Sequence, residues 1–405
     1  MTINLKKTEA ETLKTFKKHR PSEYFSHLAE EKYFQKHDAK VQNLYRFGLT
    51  FPPEMFEGKK LIDLGAGTGE NTVSLARWGA HCTLVEMNDD AIEVAKKNFK
   101  QHTKEFGDHH FINSSLYDID LPNLKGMFDI SHSRGVFTHV ADKRKAFKIL
   151  ASLAKPGGYV IFGDRNTCGG IQEMLQRLAI YKLGGISDEK IVEISETLFS
   201  EDIDRSQESV PRTREAIIFD RWVIQQQDDP SVEEVLSMFQ AEGLEYVSSW
   251  PRIDFPGRGN STFSDPRAPE ALRRGASIIE NLWMILQQGE LENINLIGGQ
   301  AGDYFERLAS MAGELRNFQK GTPLDISRLQ KNLVQLAGAS NDAWGGPSVL
   351  NKRLQVFFSE TIKFLEMVAV GESPTKIRKA IDGFTILFKG FAGVRHVDYV
   401  AYKTK

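Results

Sequence analysis

A chain of 405 residues, 40% hydrophobic and 26% charged, is long enough for two or three domains or one domain with large insertions, and its net charge of −2 gives no global electrostatic reason to expect nucleic acid or an anionic membrane as partner. It contains no apolar run of the roughly 18 residues that a membrane-spanning helix needs, and residues 1–20 lack the apolar core of a secretory signal. Cys82 and Cys168 are the only cysteines, too few for a disulfide framework or, by themselves, a zinc site, so a reducing cytoplasm is expected.

Residues 1–58 read as an amphipathic helical cap, with aromatic positions at Tyr24, Phe25, Tyr33, Phe34 and Tyr45, stopped by Pro52-Pro53. Short apolar runs then alternate with helical stretches. Strands are expected at Lys60–Leu64, His81–Glu86, around Phe111-Ile112, at Met127–His132 and at Tyr159–Gly163. Helices are expected over Thr72–Trp78, Asp89–Lys100 and Lys143–Ala154, with a turn at Pro156-Gly157-Gly158. This alternation predicts a parallel sheet with helices on both faces.

Residues 166–230 interrupt the pattern as an insertion. Core elements resume over 231–255, with a helix from Ser231 to Glu242 ended by Gly243 and a strand from Leu244 to Trp250. Residues 256–392 form a helical insertion with turns at Gly257-Arg-Gly259, Gly298-Gly299 and Gly345-Gly346-Pro347. Residues 393–405 supply a last strand, His396–Tyr402, rich in β-branched and aromatic types. That strand is expected to pair with Leu244–Trp250.

The most specific chemical signal is Leu61-Ile-Asp-Leu-Gly-Ala-Gly-Thr-Gly69. A buried strand ends at Asp63-Leu64, and the chain turns through three glycines into a helix, so that a ligand can approach the backbone beside helix amides. Glu86 ends the next strand about twenty residues on, where a carboxylate can bind ribose hydroxyls. A dinucleotide loop would need glycine where Glu70 stands, and no Gly-Lys-Ser/Thr follows to make a phosphate loop.

On these residues the chain resembles the class I S-adenosylmethionine-dependent methyltransferases, over residues 59–165 and more weakly over 231–250 and 395–403. The resemblance implies a Rossmann-like seven-stranded, mostly parallel sheet with a reversed C-terminal hairpin, here carrying N-terminal helices and large helical insertions. It also implies S-adenosylmethionine as cofactor, held by Asp63, Gly65, Ala66, Gly67 and Gly69, by Glu86 with Met87, by Ser115 and Leu116 at the adenine, and by Ser133 beside the methionine moiety. Phe128–Val136 resembles the fourth-strand motif, and Leu153–Val160 the element before strand five.

For catalysis, His139 in Gly135-Val-Phe-Thr-His139 is the first candidate general base, a backbone-bonded structural histidine being the alternative. Asp164 and Asn166 follow strand five and either orient an acceptor or satisfy turn amides. Arg134 either binds a carboxylate or serves as an ion-pair partner. Trp222, within Phe219–Gln227, either walls an acceptor pocket or fills a core. Arg252–Phe263, with Arg258, Asn260 and Thr262, could form a polar lid or a solvated loop. Ile278, Leu282, Ile285 and Leu286 have core-helix spacing. The histidines, including His109-His110, lack metal-ligand companions, so no metal is expected.

The expected activity is methyl transfer to oxygen or nitrogen of a small-molecule acceptor enclosed by the insertions, with homo-oligomerisation through the helical insertion open and no nucleic acid or membrane partner. An RNA or protein methyltransferase and a non-catalytic binding protein are the alternatives.

Overall fold

A computed structural model describes residues 5–19, 30–209, 212–223, 228–253, 301–319, 321–343, 349–390 and 396–405. Tyr24 and Phe25, the lid residues Arg258, Asn260 and Thr262, the ridge Ile278, Leu282, Ile285 and Leu286, and the glycine turns at 257–259, 298–299 and 345–347 lie outside them. The chain divides into two compact units, the first drawn from residues 1–165, 230–276 and 396–405, the second from 166–229 and 277–395.

The first unit is built on seven strands, β1 (Lys60–Leu64), β2 (His81–Glu86), β3 (His110–Asn113), β4 (Phe128–Arg134), β5 (Ala154–Arg165), β6 (Leu244–Trp250) and β7 (His396–Lys403). They lie in the order β3-β2-β1-β4-β5-β7-β6. Strands β1 to β5 pair in parallel, whereas β7 runs antiparallel to both β5 and β6. The expected reversed hairpin is therefore present. Strands β1 and β2 bury four consecutive residues each, Leu61–Leu64 and Cys82–Val85, as a sheet covered on both faces requires.

Helices α1 (Leu5–His19), α2 (Glu31–Asn43), α3 (Val73–Arg77), α4 (Asp89–His102), the single turn α5 (Leu121–Leu124) and α6 (Lys143–Leu153) belong to this unit. Their starts follow local chemistry. Asn88 caps α4 by accepting the Asp90 N–H at 3.2 Å, and Asp142 caps α6 by accepting that of Lys145 at 2.9 Å. One expectation fails at Pro156-Gly157-Gly158. These residues do not break the strand. Register passes from Phe128↔Ala154 to Ile130↔Tyr159, so the segment is absorbed as an irregularity inside β5, which begins earlier than its apolar run.

The second unit is helical: α7 (Ile171–Lys182), α8 (Asp188–Ser209) and α9 (Arg214–Ile218), and after the return to the sheet α11 (Ala301–Gln319), α12 (Ile326–Ala343), α13 (Val349–Ala369) and α14 (Pro374–Asp382). Between them in sequence, α10 (Val232–Ala241) returns to the first unit behind a capping box of Ser231 and Glu234. Leu178, Leu198 and Trp222 share one core with Leu308, Leu333, Phe357 and Phe388. Two stretches that read as separate insertions thus bury their apolar faces on each other. Trp222 is fully buried, with its ring 5.6 Å from Phe199.

Candidate functional site

The glycine loop leaves β1 and folds against β2, the Gly65 and Ala66 N–H groups donating to the Val85 carbonyl at 2.8 and 3.1 Å. Gly65 has φ +72°, and a Cβ placed there would meet Val136 Cγ2 at 2.5 Å, so the first glycine is required twice over. The Glu86 carboxylate faces this loop from the end of β2. One oxygen accepts the Gly67 N–H at 2.9 Å, the other the Asn88 N–H at 2.8 Å. Burial raises its carboxyl above the ordinary value, against the pull of those backbone donors.

Beneath the loop runs a buried polar chain. Tyr45 Oη lies 3.1 Å from His132 Nε2, and His132 Nδ1 lies 2.8 Å from Asp63 Oδ1. The other Asp63 oxygen accepts from the Thr72 hydroxyl just before α3. With Asp63 as acceptor, Nδ1 carries the imidazole proton and Nε2 accepts from Tyr45. This chain ties β1, β4, α3 and the segment after α2 together under the glycine turn.

Above the loop lies a cavity of about 510 Å³. Its floor is Gly65, Gly67, Thr68 and Glu70. One wall comes from the end of β2 and the start of α4, with Glu86, Met87 and Asn88. A second comes from Ser114, Leu116 and Tyr117, and a third from Arg134 through Ala141, including His139. Helix α1 covers it with Thr8, Glu9, Thr12, Leu13, Phe16 and Lys17. Phe16 meets the His139 ring edge-on at 5.7 Å. Three polar ties hold α1 down: Glu9 to the Ser115 hydroxyl, Lys6 to Asp118 and Lys17 to Asp89. Among the described lining residues Glu9, Glu70, Glu86, Asp90 and Glu93 outnumber Lys17, Lys97 and Arg134, so with its carboxyls ionised the cavity favours a ligand carrying positive charge.

Of the expected site residues, Gly65, Gly67, Glu86, Met87, Leu116, Arg134 and His139 line this one cavity. The others do not. Asp63 and Ser133 are buried beneath, Ser133 donating to the Leu64 carbonyl at 2.8 Å. Ala66 is buried, and Gly69 faces Phe99, Ala95 and Leu84 in the core. The Ser115 hydroxyl accepts the Tyr117 N–H at 3.1 Å while holding Glu9, leaving Ser114 and Leu116 to face the cavity.

Asp164 and Asn166 need correction as acceptor-orienting groups. The Asp164 carboxylate is turned to its own turn, accepting from the Thr138 N–H and hydroxyl at 2.7 and 2.6 Å and from the Arg165 N–H at 2.8 Å. Asn166 is buried in the second unit and accepts the Gly169 N–H at 2.7 Å. Both follow the turn-satisfying reading. Arg134 lines the cavity but also follows the ion-pair reading, donating to Asp398 at 2.7 and 3.3 Å and to Asn71 at 2.9 Å.

Trp222 follows the core reading. Trp222→Ala is expected to cost about 3–5 kcal/mol in chemical denaturation of the second unit. Trp222→Phe should cost less, since the buried indole N–H has no hydrogen-bond partner among the described residues. Ligand binding at the cavity should be unchanged in both variants. Lost binding with unchanged stability would restore the pocket-wall reading.

Sequence reasoning missed the face of α1, Glu70 and Tyr117. The signal on α1 was its spacing: Thr8 with Thr12, and Glu9 with Leu13 and Phe16, fall on one helical face. Among the described residues no group of three or more metal-ligating side chains gathers, and no helix is long and apolar enough to cross a membrane.

Residues 56–234 match a family model described as a methyltransferase domain. The chain is 33% identical over 110 residues to a ubiquinone biosynthesis O-methyltransferase of Alkalilimnicola ehrlichii, covering 27% of this chain and 43% of that one. It is 34% identical over 110 residues to the protein of the same name from Vibrio vulnificus, covering 27% and 45%. The match thus spans less than half the length of these curated relatives. A Galdieria sulphuraria structure, described as a candidate sarcosine dimethylglycine methyltransferase, is 13% identical, covering 91% of this chain and 86% of that one at a TM-score of 0.36.

Proposed function

Through residues 56–234 the chain belongs to the class I S-adenosylmethionine-dependent methyltransferases, and from that premise we propose that it transfers a methyl group from S-adenosylmethionine to an oxygen or nitrogen of a small-molecule acceptor. The observation that carries this reading is the covered, acid-rich cavity against the glycine loop. The residues present suit the donor. Glu86 suits ribose hydroxyls, Met87 and Leu116 suit the adenine faces, and the acidic lining suits a sulfonium cation. When bound, the donor supplies a methyl group already activated on sulfur.

The chain's own contribution is alignment and exclusion of water. Gly65, Gly135 and Val136 bring backbone close to the reacting end, and α1 closes the space above it. That cover favours a small acceptor over a polymer, which would need an open track. The O-methyltransferase name of the curated relatives favours oxygen. His139, whose imidazole lies in the cavity wall, is our candidate to take the acceptor's proton.

The test is calorimetric binding of S-adenosylmethionine and S-adenosylhomocysteine, followed by labelled-methyl transfer to a panel of phenols and amines. Saturable binding and transfer to a small acceptor support the reading. A folded protein that binds neither nucleoside overturns it. His139→Ala is expected to lower kcat by about 10²–10⁴-fold with donor affinity unchanged. An unchanged kcat would return His139 to a structural role.

A further inference from the structure

We infer that Glu70 receives the α-ammonium group of the donor's methionyl end, an assignment that rests on the donor reading above. Glu70 directly follows the last glycine of the loop and lines the cavity. Its carboxylate accepts from the Thr68 hydroxyl at 2.9 Å and the Asn71 amide at 3.4 Å, and it forms no ion pair among the described residues. The neighbouring cation does not neutralise it, because Arg134 gives three of its five N–H donors to Asp398 and Asn71.

The position separates Glu70 from Glu86. Glu86 stands on the β2 side of the loop, against Gly67 and Asn88. Glu70 stands on the β4 side. Asn71 bridges it to Arg134, its amide donating to Glu70 and its carbonyl accepting from Arg134. A carboxylate and a guanidinium joined through one amide match the two charges of an α-amino acid, and that end of the donor is the only part bearing both.

The electrostatics agree. The Glu70 carboxyl is pushed up to about 7, chiefly by burial, with Asp63 on β1 adding to the rise. Its own backbone N–H, the Thr68 hydroxyl and Arg134 on β4 oppose it. From α2, the His37 ring meets the Glu70 carbonyl at 2.8 Å, and burial lowers its pKa, so it is neutral near pH 7 and adds no compensating charge. An arriving ammonium favours the ionised carboxylate, so binding near neutrality should expel a proton.

The experiment is calorimetry of S-adenosylhomocysteine and of methylthioadenosine, which lacks the amino-acid end, on wild type and Glu70→Gln. Each titration is run in two buffers of different ionisation enthalpy. Wild type is expected to release about half a proton at about pH 7 with S-adenosylhomocysteine and none with methylthioadenosine. Below about pH 7 its affinity for the first should fall by up to about tenfold per pH unit, and for the second stay level. Glu70→Gln should bind methylthioadenosine as wild type does and S-adenosylhomocysteine about tenfold to a hundredfold more weakly, without proton release.

Equal weakening of both ligands, or no weakening, would overturn the assignment. So would proton release that survives the substitution. If Glu70→Gln fails to fold, the wild-type comparison still decides, since absent or equal proton release for the two ligands refutes it. Wild type binding neither ligand would instead overturn the donor reading beneath it.

Discussion

Glu86→Ala is expected to weaken S-adenosylhomocysteine binding by about 10²–10⁴-fold in calorimetry while leaving the folded protein within about 1 kcal/mol of wild type. A carboxylate offers about four acceptor sites, and Glu86 commits two of them, one oxygen to Gly67 N–H and the other to Asn88 N–H. Two remain for a pair of ribose hydroxyls. Charge-assisted bonds of this kind contribute about 1.5–3 kcal/mol each. Stability should change little because two effects oppose. The raised carboxyl means that the ionised group is held at some cost at neutral pH, and truncation removes that cost together with the two backbone bonds. Glu86→Gln should fail to rescue. Either orientation of its amide sets NH₂ against a backbone N–H that now meets an oxygen. If Glu86→Gln binds the nucleoside as tightly as wild type, the ribose assignment is wrong.

The strand–turn–helix at residues 60–77 and the acid at Glu86 were legible because their constraints are local. Glycines at 65, 67 and 69 have one workable reading between a buried strand and a helix, and a strand-end carboxylate points where β2 points. The face each residue presents was less legible. Asp63 and Ser133 sit in the right segments but aim under the loop: Ser133 because strand side chains alternate and the cavity side belongs to Arg134, Asp63 because its carboxylate is taken up by His132 and Thr72 beneath the glycine turn. Asp164 and Asn166 were ambiguous by chemistry, since short polar side chains after a strand cap turns as readily as they bind ligands. Docking of α1 across the glycine loop, and the shared core of α7–α9 with α11–α14, depend on surfaces far apart in sequence. No periodicity could join them.

Arg134→Met is expected to destabilise the first unit by about 3–5 kcal/mol, more than Asp398→Asn, in denaturant melts near neutral pH. Arg134 on β4 reaches past β5 to Asp398 on β7. It passes at Gly163, where an added Cβ would collide with the Asp398 carboxylate and with Arg134 Cγ at 2.9 Å. Burial alone would raise the Asp398 carboxyl, but Arg134 and His396 together hold it well below the usual carboxylate range. The asymmetry between the variants follows from exposure. Asp398 is 4% exposed, so removing Arg134 strands a buried charge with His396, at 3.1 Å, as its one remaining ionisable neighbour by side-chain contact among the described residues. Arg134 opens onto the cavity and can be hydrated when its partner is neutral.

The pH dependence carries an opposite sign in the two proteins. In wild type the depressed carboxyl contributes stability that is complete above the unfolded value, about 3.9, and is lost as the pH falls through the folded one. In Arg134→Met burial, the largest influence on the same carboxyl, is opposed by His396 without Arg134, so the carboxyl is expected to rise above its unfolded value. That variant should therefore gain stability on acidification from neutrality toward about pH 5, where wild type stays level with respect to this group. Parallel melts across that range would show that Arg134 contributes little to holding Asp398 ionised. The β4–β7 tie would then rest on the sheet ladder alone.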